Sequence, residues 1–424
     1  MKVFPQIPKC KKTVLNNGLR ILTDKVSDMR SVSMGILVKA GSGDEAPIEA
    51  GISHFVEHMM FKGTPTRSAF EIAREIDSVG GKINAATGKE STMYYCVILD
   101  EHMDVAVNVL SDIFLNSLFD PKEIDVERGV ILEEIRMYED TPDELIHDIF
   151  AETILGGHPM GRPTIGTFET VGGLKREGML SYTGRMYRPE NILITVAGNV
   201  EHEEVVSKFE PVFGPLKAGV PRAKIEPISF QRAVKVKKKK TEQVHLCLGT
   251  RAISQLDEDR YAFIALDNVL GGSMSSRLFQ EVREKKGLAY SIYSYVNPYR
   301  DFGFFAVYAG TSMANYNKVI DIVSDELRKI KKEGITDEEL KRAKEFVKSS
   351  LVLGLESTSS RMGWSARSEF YYDRVLLIDE VFAEVDKIGR DDIIRLANKY
   401  FTDDSLSLTM IGDFKEDPKI EIKI

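Results

Sequence analysis

Apolar and polar positions along the first half of the chain alternate over short runs and repeat at helical spacing over longer ones. The pattern predicts strands over 31–40, 82–87, 91–99 and 191–197, and helices over 68–79, 103–115, 120–138, 142–155 and 173–186. An Asn17-Gly18 pair predicts the turn of a hairpin over 13–25. The first half is therefore expected to mix strands and helices.

The helix over 120–138 has a strong start signal. Asp120 offers an acceptor at the N-cap, Pro121 suits the first helical position, and Glu123 follows three residues after the cap. Gly129, in the middle, costs about 1 kcal/mol of helix stability relative to alanine. We expect that a close approach to a neighbouring helix explains this glycine.

A segment with three prolines and little periodicity, 215–230, predicts a linker. The sequence beyond it echoes the sequence before it, since 109–112 has a counterpart in 322–325 and 94–98 in 304–308. Both pairs are offset by about 210 residues, which favours a duplicated domain. The predicted domains are 1–214 and 231–424.

One segment, 51–63, reads as a single buried helix for which Gly63-Thr64-Pro65 supplies the stop signal. It contains His54 and His58, four residues apart, so both imidazoles leave the same side of the helix. Two histidines at this spacing can bind one zinc ion, and Glu57 would lie beside the metal as a general base for water. Burying these polar side chains on an apolar helix without partners would be costly, and a bound metal ion would remove that cost. The sequence therefore predicts a catalytic zinc site in the first domain.

A catalytic zinc ion takes three protein ligands and leaves one position open. The helix over 120–138 offers Glu123, Glu127, Glu133 and Glu134. Glu127 and Glu134 are seven residues apart and share a face, whereas Glu133 points elsewhere. The spacing alone leaves Glu134, Glu127 and Glu123 as rivals for the third ligand.

Composition narrows the class of protein. The chain has 424 residues and a net charge of −8, which favours neither nucleic acid nor an anionic membrane as a partner. Cys10, Cys96 and Cys247 are far apart, which suits a reducing compartment. No run has the apolar length of a signal peptide or a membrane span, so we expect a cytoplasmic protein without a membrane partner.

The inverted His-x-x-Glu-His motif, the later pair of glutamates and the duplicated halves resemble the pitrilysin and insulin-degrading enzyme family of zinc peptidases. The likeness is strongest to half-length bacterial peptidases related to the mitochondrial processing peptidase. It implies an α+β fold of two homologous domains, each a mostly antiparallel sheet packed with helices. It also implies one zinc ion per chain, held by His54, His58 and Glu134, with Glu127 supporting the ligand histidines.

The same resemblance extends to the rest of the chain. Asn84 and Ala85 fall in the strand that binds substrate backbone in that family. Arg283 and Tyr290 match residues that reach the active site from the far half of the enzyme. Because this chain has only half the family's full length, the resemblance implies a homodimer in which each chain completes the other's site.

Two other functions compete with an endopeptidase that cleaves extended peptides or unfolded segments. Some relatives keep the fold without the chemistry, as non-catalytic subunits of processing heterodimers. A peptide-binding scaffold with structural zinc is the other alternative, although such a site normally has four protein ligands and no fourth candidate is evident.

Overall fold

The computed structural model describes residues 8–219, 227–230, 232–416, 418 and 420–424. These residues form two compact units that alternate along the chain. The first unit takes the described residues within Met1–Arg136, Arg162–Glu226 and Val352–Asp379. The second takes those within Met137–Gly161, Pro227–Leu351 and Glu380–Ile424. Each unit contains one sheet and its own helices, as the α+β class requires.

The first unit is built on a six-stranded sheet. Its strands are β1 (Cys10–Val14), β2 (Arg20–Lys25), β3 (Ser31–Val38), β4 (Lys82–Thr87), β5 (Thr92–Leu99) and β6 (Ile192–Gly198). They lie in the order β1-β2-β6-β3-β5-β4, and every neighbouring pair is antiparallel except β2 and β6. Gly18, with a φ of 89°, allows the turn between β1 and β2, so the predicted hairpin is confirmed.

The second unit repeats this topology with one strand fewer. Its strands are β7 (Val234–Lys238), β8 (Val244–Ala252), β9 (Ala289–Pro298), β10 (Gly303–Thr311) and β11 (Ser407–Gly412). Their order is β7-β11-β8-β10-β9, with β7 and β11 parallel and the other pairs antiparallel. Strands β2 to β6 and β7 to β11 thus connect in the same way, which confirms the duplication. The echoed runs 94–98 and 304–308 lie in the equivalent strands β5 and β10.

Fourteen α-helices are present among the described residues. They are α1 (Ile52–Met59), α2 (Ala69–Asp77), α3 (Met103–Asn116), α4 (Pro121–Glu139), α5 (Pro142–Ile154), α6 (Phe168–Gly173), α7 (Arg176–Met186), α8 (His202–Phe213), α9 (Arg260–Leu270), α10 (Tyr316–Glu333), α11 (Asp337–Gly354), α12 (Thr358–Tyr372), α13 (Ile378–Lys387) and α14 (Arg390–Tyr400). None of them combines the length and apolar character of a bilayer-spanning segment.

Two helices make the compact units differ from the two halves of the sequence. Helix α12, from the second half, packs on β3 and β6 of the first sheet, and its Phe370 lies against Leu22 and Leu193. Helix α5, from the first half, packs on β8 and β11 of the second sheet. The division into 1–214 and 231–424 stays a prediction about homologous halves, because each compact unit includes a helix from the other half.

The predicted linker lies between α8 and β7. Its described parts, 215–219 and 227–230, contain no helix or strand, and 220–226 lie outside the described residues. The chain enters the second sheet at β7, which is an edge strand.

Helix α4 begins as its start signal predicts. The N–H of Lys122 donates to Oδ1 of Asp120 at 2.8 Å, and Glu123 lies in the first turn. The expected close approach at Gly129 is wrong, because a Cβ atom there would meet no atom within 4 Å. Gly129 is exposed, so its hydrogen side chain serves no packing need.

Replacing Gly129 with alanine is therefore expected to stabilise the protein. Gly129→Ala should raise the free energy of unfolding by about 1 kcal/mol, because alanine is the better helix former. Urea unfolding of the metal-free protein measures it. Gly51→Ala is the contrasting control and should lower the free energy of unfolding. Gly51 has a φ of 91°, and a Cβ there would lie 2.8 Å from the carbonyl oxygen of Ile165. A destabilised Gly129→Ala variant would contradict the prediction.

Candidate metal centre

Helix α1 buries one side in the core and turns the other toward α4 and β4. Ile52, Phe55, Val56 and Met59 are at most 1% exposed, which fixes the orientation of the helix. The opposite side carries His54, Glu57 and His58. The regular helix is shorter than the predicted 51–63 because the N–H groups of Phe61 and Lys62 bond to carbonyls only three residues back, in tighter turns.

A close backbone contact fixes the start of α1. Gly51 precedes the helix in the left-handed region, and a Cβ there would lie 2.9 Å from Cα of Gly166. Gly166, with a φ of 79°, meets the same limit, since its Cβ would lie 2.6 Å from the carbonyl oxygen of Ala50. Both positions need glycine, and the contact seats the loop before α6 on the start of α1.

Helix α4 brings a carboxylate to the two histidines. Oε2 of Glu134 lies 3.7 Å from Nε2 of His54 and 3.8 Å from Nε2 of His58. Each of the three residues offers one ligand atom, and these atoms all lie within 4.8 Å of one another. Among the described residues, this is the one cluster of His, Cys, Asp or Glu side chains close enough to share a metal ion. Glu123 is not part of the group.

The donor set and its surroundings fit a zinc ion. Two imidazole nitrogens and one carboxylate oxygen are the ligands of many catalytic zinc sites, in which ligand atoms lie about 3.3 Å apart. Oε2 of Glu134 is buried and has no hydrogen-bond partner among the described residues, as a metal ligand atom would be. Burial, and secondarily the neighbouring His58, lower the pKa of His54 to about 4, so its imidazole is neutral at pH 7.

Glu127 holds His58 from behind. Its Oε2 atom lies 3.0 Å from Nδ1 of His58, and its Oε1 atom lies 2.5 Å from Nζ of Lys62. This contact suits the tautomer in which Nδ1 donates to Glu127 and Nε2 directs its lone pair toward Glu134, as a zinc ligand requires. Lys62 compensates the charge of a carboxylate that is only 3% exposed.

Glu57 lies beside this group and is held by the end of β4. The Thr87 hydroxyl donates to Oε2 of Glu57. Burial raises the pKa of Glu57, and the hydrogen bond from Thr87 partly opposes this shift. A raised pKa makes this carboxylate a better proton acceptor than an exposed glutamate, as a general base requires.

The two predicted substrate-binding residues lie on β4, the strand at the edge of the first sheet. Asn84 and Ala85 pair with Tyr95 and Tyr94 of β5. The N–H of Ala85 donates to the side-chain oxygen of Asn84 at 2.8 Å. Since β4 also ends at Thr87, this strand edge runs up to Glu57.

Arg283 and Tyr290 lie together in the second unit. Arg283 belongs to a π-helical turn, Phe279–Glu284, and its guanidinium carbon lies 4.8 Å from the Tyr290 ring centroid. Tyr290 is 78% exposed, and the pairing of β9 with β10 skips it in a bulge, from Ala289 to Ser291. π-helical turns and bulges often re-aim side chains at functional sites.

Two contacting residues were not among the predicted site residues. Lys62 is four residues after His58, so helical spacing could have placed it on the same side. Thr87 alternates with Ile83 and Ala85 along β4, which could have placed the three side chains on one face. Neither pattern shows that Lys62 would meet Glu127 or that Thr87 would meet Glu57.

Each half of this chain matches a family model. Residues 20–168 match the model described as Insulinase (Peptidase family M16), and residues 173–347 match Peptidase M16 inactive domain. A Bacillus subtilis relative named uncharacterized zinc protease YmxG is 41% identical over 93% of this chain and 96% of the relative. An uncharacterized zinc protease of Streptomyces coelicolor is 40% identical over 96% and 90%. The chain belongs to peptidase family M16, a family of zinc peptidases, and is of its half-length bacterial type.

Solved structures show the same fold. A protease from Helicobacter pylori superposes with a TM-score of 0.88 at 24% identity, covering 96% of this chain and 99% of that one. A Pseudomonas fluorescens structure, described as a peptidase M16 inactive domain, gives 0.90 at 19% identity, covering 97% and 100%. At these identities the likeness concerns the fold alone.

Proposed function

We propose that this protein is a zinc-dependent endopeptidase that cleaves extended peptides or unfolded segments, with one zinc ion per chain. The observation that carries the proposal is the cluster of His54, His58 and Glu134, with Glu57 beside it. The names of the relatives, zinc proteases at about 40% identity, support the same class. The reaction is hydrolysis of a peptide bond.

In this proposal His54, His58 and Glu134 hold the metal. When bound, a zinc ion lowers the pKa of water and polarises a carbonyl oxygen. Glu57 accepts a proton from the attacking water, whose oxygen forms the new bond to the carbonyl carbon. As the carbon–nitrogen bond breaks, Glu57 passes that proton to the leaving nitrogen. Thr87 keeps one oxygen of Glu57 fixed while the other is used.

The substrate binds as an added strand on β4. An edge strand presents backbone donors and acceptors that an extended peptide can pair with. Asn84 and Ala85 lie on this edge, and the Ala85 N–H, now bonded to the Asn84 side chain, would turn to the peptide. Main-chain pairing makes the sequence preference loose.

Arg283 and Tyr290 would stabilise the oxyanion that forms at the attacked carbonyl. The family resemblance assigns them to the partner chain's site, so we propose a two-fold homodimer with two shared sites. Their contact with each other and the exposure of Tyr290 support a role outside the core of their own unit. Losing one such donor typically lowers the rate about 10²–10³-fold.

Mixing two inactive variants tests whether the sites are shared. Glu57→Gln lacks the base, and Tyr290→Phe lacks the donor, so each homodimer should be inactive. After exchange of subunits at equal amounts, about a quarter of the wild-type activity should return, because half the dimers carry one intact shared site. No recovery, in a mixture shown to contain mixed dimers, would contradict the shared site.

A chelator separates a peptidase from a scaffold or a non-catalytic subunit. A quenched extended peptide should be cleaved by the purified protein, and removing the metal with a chelator should abolish cleavage. Adding zinc back should restore it. A protein that binds zinc and peptide without cleaving it would favour the scaffold, and activity that needs a second, different chain would favour a processing heterodimer.

The expected compartment remains the cytoplasm. Cys10, Cys96 and Cys247 are all unpaired thiols, and Cys96 and Cys247 are buried. Unpaired cysteines are common in reducing compartments. Peptides and unfolded segments in that compartment are the proposed substrates.

A further inference from the structure

A buried carboxylate holds the start of the metal-ligand helix. Glu45 is 4% exposed and lies in the loop before α1. Its Oε2 atom accepts the N–H of Gly51, and its Oε1 atom accepts the N–H of Ser53, both at 2.8 Å. The first N–H groups of a helix have no partner within the helix, so the side chain of Glu45 supplies two of the missing acceptors.

This contact matters because α1 has only eight residues. A helix that short has few internal hydrogen bonds and depends on outside contacts. His54 lies in its first turn, directly after Ser53. Nδ1 of His54 is buried without a hydrogen-bond partner among the described residues, unlike Nδ1 of His58, which Glu127 holds. The position of the His54 ring therefore rests on its backbone and on packing.

Glu45 is itself fixed in place. Arg162 donates to its carbonyl oxygen at 3.1 Å, and Lys89 donates to the carbonyl oxygen of Arg162. The loop before Glu45 bonds to the β4–β5 turn through Ser42 N–H to Gly88 and Gly43 N–H to Lys89, at 3.0 and 2.8 Å. Glu45 thus joins α1 to the same hairpin whose first strand, β4, ends beside Glu57.

Keeping a carboxylate here is costly. Burial raises the pKa of Glu45 to about 7, against the opposing effect of the hydrogen bonds from Ser53 and Gly51 and of Lys89. An apolar side chain would fill the space without that cost, but it would leave two N–H groups without acceptors. The two hydrogen bonds to the first turn of α1 therefore explain why a carboxylate occupies this buried position.

We infer that Glu45 is a positioning residue of the metal centre, which fixes the first turn of α1 and thereby the backbone of His54. The inference rests on the proposed function only in taking zinc as the metal. Among the described residues, the hydrogen bonds of Glu45 join it to Gly51, Ser53 and Arg162, and none joins it to His54, His58 or Glu134. Its effect should therefore appear in metal affinity and in the order of α1.

Zinc affinity of matched variants provides the main test. Glu45→Gln keeps the size but replaces one acceptor oxygen with an NH₂ group, which would face a backbone N–H. It should weaken zinc binding about 10-fold, the lower end of the range for losing a direct partner of a ligand, because Glu45 acts through the backbone of α1. Glu49→Gln is the control, a partly exposed glutamate nearby that pairs with Arg185, and it should bind zinc like the wild type.

Two further measurements separate positioning from general stability. Hydrogen exchange of the metal-free Glu45→Gln variant should be faster at Gly51 and Ser53, and unchanged at the core amides of β6. Glu45→Asp retains two acceptor oxygens and should bind zinc with intermediate affinity. If Glu45→Gln fails to fold, Glu45→Asp decides, and wild-type affinity in a folded variant of either kind overturns the inference.

The test of Glu45 by zinc affinity does not depend on the peptidase assay. If the wild type binds zinc without cleaving peptides, the proposed function fails and the affinity comparison still tests Glu45. If the wild type cleaves peptides and Glu45→Gln binds zinc as tightly with unchanged exchange, only the inference about Glu45 fails.

Discussion

Glu57→Gln should lower peptide hydrolysis by about 10²–10⁴-fold while zinc remains bound, because a general base contributes that much to a proton-transfer step. The amide has nearly the shape of the carboxylate but cannot take the proton of the attacking water. Glu57 is not among the three ligand residues, so the metal content should be that of the wild type. Initial rates on a quenched peptide, with zinc measured in the same samples, check both parts.

The variant itself supplies the control. Zinc content and the melting temperature must match the wild type before the rate is interpreted. Wild-type activity in a folded, zinc-loaded Glu57→Gln protein would end the peptidase proposal. A loss of zinc together with activity would instead make Glu57 part of the metal-holding group.

Glu134→Gln should weaken zinc binding by more than about 100-fold, beyond what is typical of losing an outer partner of a ligand. The carboxylate supplies the negative charge of the ligand set, and its Oε2 atom is the one that faces both histidines. Activity should be lost with the metal. Competition with a chromophoric chelator measures the affinity directly.

Glu133→Gln is the matched control for this substitution. Glu133 is the preceding residue on α4, is exposed and pairs with Arg136. It should keep wild-type zinc affinity and activity. Equal weakening in both variants would show that α4 charge, and not a specific ligand, controls the metal.

Much of the fold was accessible from the sequence because local patterns determine local elements. The start of α4 follows from Asp120 and Pro121, and the β1–β2 hairpin follows from Gly18. What the pattern could not give is which sheet a helix covers. Nothing local in α5 or α12 indicates a sheet, and only tertiary packing shows that each belongs to the unit built mainly from the other half.

The candidate site, like the fold, could be predicted only in part from the sequence. Helical spacing grouped His54 with His58, but it could not choose among Glu123, Glu127 and Glu134 as the third ligand. In the structure Glu127 lies at Nδ1 of His58 and Glu134 at Nε2, a distinction that only the tertiary packing of α1 on α4 reveals. The role of Glu45 could not be predicted, because it depends on the path of an irregular loop, for which sequence periodicity gives no signal.

Helix α12 has a consequence for how the chain is made. The apolar patch of Leu22, Leu37 and Leu193 on the first sheet is covered by Ala366 and Phe370 of this helix. During synthesis the first sheet can form long before residue 372 leaves the ribosome, yet its outer surface stays bare until then. Between the synthesis of β6 and that of α12 the nascent chain therefore exposes an aggregation-prone apolar patch, and a product truncated in the 215–230 segment would expose it permanently.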